Sequence, residues 1–116
     1  MATTTDSDLT AADVAWDLEP LVDGKGEVGV DELLDEAERV AASVAERRGT
    51  VARLDAGGLA EVMHELATIA DLVGRASSYA SLWFSTNTSD PARGALLQRV
   101  EERATAVNTK ILFFDL

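Results

Sequence analysis

The sequence contains no cysteine and a single histidine, His64. The first absence excludes disulfides and thiolate metal sites, and it leaves the compartment to be judged on other grounds. The second deprives a metal ion, or a serine nucleophile, of the imidazoles such chemistry usually requires. Basic residues are scarce as well: Lys and Arg total 10 against 21 Asp and Glu, a formal net charge of -11. Phosphate backbones and anionic bilayers repel such a chain, so no nucleic acid and no membrane surface is expected as a partner. Residues 1–13, MATTTDSDLTAAD, have neither a positive n-region nor an apolar run. They form neither a signal peptide nor a spanning segment, and the expectation is a cytoplasmic protein.

What the sequence does contain is helical periodicity. A chain of 116 residues has room for one domain, which buries about two-thirds of the surface its unfolded form exposes. That allows a modest core and no large enclosed active site. Residues 1–15 are small, polar and acidic and read as a flexible tail, leaving 16–116 as a helical domain. Trp16, Leu18 and Leu21 surround Pro20, which disfavours helix in the residue before it, so this stretch is expected to lie as an extended strap across the helices. Asp23-Gly24-Lys25-Gly26-Glu27 and Gly29 supply turn residues, which places the first helix start near Val30 or Asp31.

In that first helix Val30, Leu33, Leu34, Ala37, Val40, Ala41 and Val44 recur at steps of three and four, with Asp35, Arg39, Ser43 and Glu46 opposite. Asp35 and Arg39 stand four apart in the favoured acid-first order, and Gly49 is placed to end the helix. A second helix runs from near Asp55 to about Phe84, with a stripe of Leu59, Val62, Met63, Leu66, Ile69, Ala70 and Val73; at roughly 30 residues it spans about 45 Å. The polar loop Ser85 to Ser89 then ends in Asp90 as N-cap and Pro91 at the first helical position. The third helix carries Leu97, Val100, Ala104, Val107, Ile111 and Phe114, the seam of an antiparallel hairpin with helix two. The predicted fold is all-α: a long antiparallel helical hairpin plus a preceding helix, in a three-helix up-down arrangement.

Two places suggest missing neighbours. Ile111-Leu112-Phe113-Phe114 are consecutive and cover the whole circumference of a helix, yet no capping residue precedes Leu116. The expectation is a fragment cut inside a helix that continues. Tyr79, Leu82 and Trp83 add apolar surface at the far end of helix two, so a second patch is expected near the hairpin tip.

Candidate chemistry is thin. His64-Glu65-Leu66-Ala67-Thr68 matches the first half of the H-E-x-x-H zinc helix, but Thr68 stands where the second histidine is needed. Glu61 and His64 match one E-x-x-H half of a di-metal bundle site, and no second half exists. Both lie off the apolar stripe, so His64 is read as a solvated surface residue. Ser77, Ser78 and Ser81 lack a histidine base and are read as small residues permitting close packing. Gly24-Lys25-Gly26 is far short of a phosphate loop, and Asn87-Thr88-Ser89 is a glycosylation sequon without a secretory signal. No catalytic, cofactor-binding or metal residue is assigned.

Three segments in order, Trp16-Asp17-Leu18-Glu19-Pro20-Leu21, Gly74-Arg75-Ala76-Ser77-Ser78-Tyr79-Ala80-Ser81-Leu82 and Asp90-Pro91-Ala92-Arg93-Gly94-Ala95-Leu96-Leu97-Gln98-Arg99-Val100, resemble the N-terminal helical region of the oligoendopeptidase F family. These are zinc oligopeptidases related to thimet oligopeptidase. The resemblance spans about Trp16 to Leu116, and the third segment is its most specific part. It implies a longer parent whose C-terminal catalytic domain carries H-E-x-x-H, a downstream Glu ligand and the zinc. The N-terminal helices would then form one wall or lid of a channel that admits short peptides. None of the family's metal or catalytic residues has a counterpart here. The other reading of the residues is a stand-alone helical module that self-associates through its stripe. In a domain this small apolar burial only just offsets chain entropy, so the isolated chain is expected to associate under either reading. Light scattering that finds a well-folded, stable monomer contradicts this expectation.

Overall fold

The computed structural model describes residues 17–47, 49–50 and 53–112. The tail at 1–15, Trp16, and Phe113 to Leu116 lie outside the described residues, and with them the expectations that fall there. A four-residue 3-10 turn, Glu19–Val22, leads into three helices: α1 (Gly26–Ala45), α2 (Ala56–Thr86) and α3 (Pro91–Ile111). They run up, down and up, and each helix touches both others. Among the described residues there is no strand, and no helix is long and apolar enough to cross a membrane.

The entry to the bundle differs from the extended strap expected at 16–21. Pro20 sits in the first turn of a helical segment, where its missing N–H costs nothing. The chain therefore coils into one 3-10 turn, closed by Asp23 in the left-handed region (φ 56°) and by Gly24 N–H donating to Glu19 O at 2.9 Å. This compact turn drives Val22 into the core, where it is 1% exposed. Helix α1 then starts at Gly26, four residues before Val30. Its N-cap Lys25 offers no side-chain acceptor; the Glu19 carboxylate takes the Gly26 N–H instead, at 3.1 Å. Gly29 is not a turn residue but a buried helical one. A Cβ there would stand 2.6 Å from Val22 O, so the glycine lets α1 lie directly on the turn.

All seven apolar positions expected on α1 are buried. They feed two stacked clusters. The upper one joins Val30, Leu33 and Leu34 to Val22, Ala76, Tyr79, Ala80, Leu96 and Val100. The lower one joins Ala37, Val40, Ala41 and Val44 to Ile69 and Val107, with Leu66, Val73 and Ile111 packed against it. Helix α2 is 31 residues long and begins where expected, with Asp55 Oδ1 accepting from Gly58 N–H at 2.7 Å. Asp90 caps α3 in the same way through Ala92 N–H at 3.0 Å, followed by Pro91.

Three expectations are corrected. On α2, Val62 and Ile69 are buried, but Leu59 and Met63 are 47% and 55% exposed and Ala70 is exposed too: the buried line of Val62, Ile69 and Ala76 repeats every seven residues and is narrower than the expected stripe. On α3, Leu96 is fully buried although it lies beside the expected seam. The helix contacts both α1 and α2, so its apolar face is wider than the single stripe of a hairpin. At the hairpin tip, Tyr79 is 5% exposed and Leu82 and Trp83 are half-buried, so the expected patch is folded into the domain.

Gly29→Ala is expected to lower stability by about 1–3 kcal/mol through the forced shift of the turn. Gly74→Ala, at a helical position with open space around it, is expected to raise stability by about 0.5–1 kcal/mol. Urea denaturation of the two variants checks both signs.

Candidate functional site

The residues singled out for metal chemistry separate on the structure. His64 is exposed, and its carbonyl accepts from Thr68 Oγ1 at 3.0 Å, a helix-internal bond. Glu61 is exposed beside it. Glu65 turns toward α1 instead, where it accepts from Ser43 Oγ at 3.0 Å and pairs with Arg47. That carboxylate ties the last turns of α1 to α2. Among the described residues no three His, Asp or Glu side chains gather so as to hold a metal ion. Of the serines, Ser77 is half-buried and Ser78 and Ser81 are exposed; the close packing comes from Ala76 and Ala80, both fully buried. Gly24 (φ 76°) and Gly26 (φ 60°) serve the turn into α1. Asn87 Oδ1 accepts from Ser89 N–H at 3.2 Å, a local turn in the loop.

The charged residues form a network between helices rather than along one. Asp35 and Arg39 do not pair: Arg39 bonds Glu36 three residues before it, and Asp35 reaches across to Arg103 of α3 at 2.5 Å. Arg103 also meets Glu38 at 3.0 Å and Asp31 at 3.4 Å, while Arg99 binds Asp31 at 3.3 Å. The hydrogen bond that Arg103 donates to Glu38, against the cost of burial, holds its guanidinium well above its ordinary pKa, with Asp35 adding to the effect. Helices α1 and α3 run parallel, and this ladder of carboxylates and guanidinia fixes their register. Sequence spacing inside one helix carries no signal for it.

The second cluster of polar contacts gathers pieces from across the chain. Arg75 Nε donates to Leu21 O at 2.9 Å and its Nη2 meets Asp23 at 3.3 Å, so α2 grips the turn that precedes α1. Tyr79 Oη donates to Glu19 Oε2 at 3.4 Å, on the carboxylate that caps α1. Tyr79 and Trp83 stand 6.0 Å apart with rings tilted 39°. Arg93 of α3 lies 4.9 Å above the Trp83 ring, donates to Trp83 O at 2.9 Å and bonds Asp90 at 3.2 Å. It thereby satisfies a carbonyl at the end of α2 while holding the cap of α3. Burial, with the Glu19 carboxylate beside it, pushes the Tyr79 phenol up from its ordinary value.

Neither cluster pairs a nucleophile with a base; both brace helices against one another. An open concavity of about 360 Å³ on α3 is lined by Gln98, Glu101, Glu102 and Thr105. It offers hydrogen-bond acceptors and negative charge. Comparison with protein-family models, curated proteins and solved structures finds no match for the chain.

Two outcomes test this geometry. Replacing Arg103 with Ala leaves four carboxylates, Glu27, Asp31, Asp35 and Glu38, with Arg99 as their one guanidinium partner on α3. A stability loss of about 1–2 kcal/mol is expected, larger in low salt than in high salt by chemical denaturation. Tyr79 is the only tyrosine, so its ionisation is read directly from ultraviolet absorbance. Its midpoint is expected above pH 10, the model-compound value. The stability it contributes is fully present below the unfolded value and is lost as pH rises through the folded one.

Proposed function

We infer that the chain is the N-terminal, non-catalytic helical domain of a cytoplasmic zinc oligopeptidase resembling oligoendopeptidase F. In that role it forms part of the wall or lid of the channel through which short peptides reach the metal. The observation that carries this reading is the meeting of the three segments in which the resemblance lies. Glu19 and Leu21 come from the first, Arg75 and Tyr79 from the second, Asp90 and Arg93 from the third. The first two join through the Arg75–Leu21 and Tyr79–Glu19 contacts, and Leu96 and Val100 of the third pack with Ala76, Tyr79 and Ala80 of the second in the upper core cluster. Mutual packing of the three segments fits a shared domain architecture.

The division of labour follows from what the helices hold. Many of their carboxylates and guanidinia are held in ties between elements, and in this reading the chemistry belongs to the catalytic domain of the parent. There a bound zinc would polarise the substrate carbonyl and activate a water. The domain's own contribution is shape: a rigid, acidic set of helices that packs against that catalytic domain and narrows access to it.

A second reading, a stand-alone helical module that self-associates, is favoured by the exposure of Leu59 and Met63 on one flank of α2. The gene decides between the two. The peptidase reading expects an open frame after the Leu116 codon that later encodes H-E-x-x-H and a further Glu, and full-length protein whose peptide hydrolysis stops on adding a chelator. A stop codon directly after Leu116 overturns it. Chelator-sensitive hydrolysis by the 116-residue chain alone would overturn the assignment of a non-catalytic role.

A further inference from the structure

The back of α2, turned away from the core, is apolar along most of its length. Ala60, Met63, Ala67, Ala70 and Gly74 follow one another there at steps of three and four, and all are exposed. His64 and Asp71, exposed as well, flank this line seven residues apart. The ladder of Asp31, Asp35 and Glu38 with Arg99 and Arg103 lies between α1 and α3, away from it. The face is bulky at one end and hollow at the other. Met63 is 55% exposed, with Leu59 at its border, whereas Gly74 has nothing within 4 Å of where a Cβ would stand.

A helix shaped in this way is complementary to itself when a second copy lies antiparallel on it. Each residue gained along one helix is then one lost along the other, since both rise equally per residue. With Ala67 on the two-fold axis, Met63 comes level with the partner's Ala70, and Ala60 with the partner's Gly74, so each bulge meets a hollow. His64 comes level with the partner's Asp71, so the basic side chain of this face meets its acidic one, and every contact occurs twice. We propose that the back of α2 is a homodimer interface, with two copies packed antiparallel about Ala67 and His64 of each bonded to the partner's Asp71. The shared length, about 35 Å of helix, suits a weak reversible dimer more than an obligate one. A formal net charge of -11 per copy opposes approach at long range, but at physiological salt that repulsion is screened beyond about 8 Å. The proposal holds under either reading of function. It assigns association to the outward face of α2 and leaves the core-forming stripe within one molecule.

Sedimentation equilibrium of the full chain at about 100 μM is expected to show a dimer, and a monomer at that concentration overturns the proposal. Ala67→Glu sets two carboxylates against each other on the axis and is expected to weaken dimerisation about ten-fold or more. Ala106→Glu, equal in charge and exposed on α3, is expected to leave it unchanged; equal effects of the two, or none from the first, overturn the interface. His64→Asp alone is expected to weaken the dimer and its combination with Asp71→His to restore it, and a failed rescue overturns the pairing. The absence of cysteine lets single cysteines report the register. Ala67→Cys is expected to form an interchain disulfide on mild oxidation. Ser81→Cys is expected not to, because its two copies stand about 40 Å apart in this register. Bridging of both, or of neither, overturns the antiparallel arrangement. Should Ala67→Glu lose helicity by circular dichroism, the disulfide pattern decides.

Discussion

The fold depends on the burial of one face of α1. That helix of 20 residues supplies seven apolar side chains to the interior, and both core clusters are built around them. Helices α2 and α3 each close on α1 as well as on each other. The constraint propagates outward. Because α1 must sit close to the turn before it, Gly29 has no side chain and Val22 is driven inward. Because its neighbour α3 runs parallel to it, the carboxylates on its flank face guanidinia at matching heights, and Asp31, Asp35 and Glu38 find Arg99 and Arg103. Polar ties of this kind add little to stability singly. Their shared partners make them a register device more than a source of cohesion.

Much of this was legible from residue order, and the legible part has a common character. The stripe of α1, the Asp55 and Asp90 caps and the Pro91 helix start are local patterns, decided by periodicity and by hydrogen-bonding chemistry within one turn. What residue order hid depends on contacts between distant segments. Gly29 resembles a turn signal until Val22 is seen against it; Pro20 resembles a helix breaker until it occupies the first turn of a 3-10 segment. Asp35 has a suitable partner four residues on and takes a better one 68 residues away in sequence. Leu59 and Met63 fit the apolar stripe of α2, but the line that is buried, Val62, Ile69 and Ala76, is narrower than that stripe.

The same distinction bears on the candidate site. His64 and Glu65, adjacent in a suggestive motif, go separate ways: one toward solvent, the other into a tie with Ser43 and Arg47. Tyr79, Trp83 and Arg93, which no motif unites, form a connected group at one end of the bundle. Aromatic rings, a guanidinium and a capping carboxylate at one end of a hairpin brace the helices there against one another.

Stacking the interior in two clusters along a single long helix has a mechanical consequence. Among the described residues Leu72 is the one half-buried side chain that packs against both, so the clusters meet across a narrow apolar waist. The upper cluster is locked by the turn, by Arg75 and by the Tyr79–Glu19 bond, while the lower is aliphatic and held by fewer polar ties, those of Glu65 to Ser43 and Arg47. Thermal opening therefore costs least at the lower end and can stop at the waist. The bundle behaves as a clamped rod with one compliant tip, and motion there leaves the braced end undisturbed.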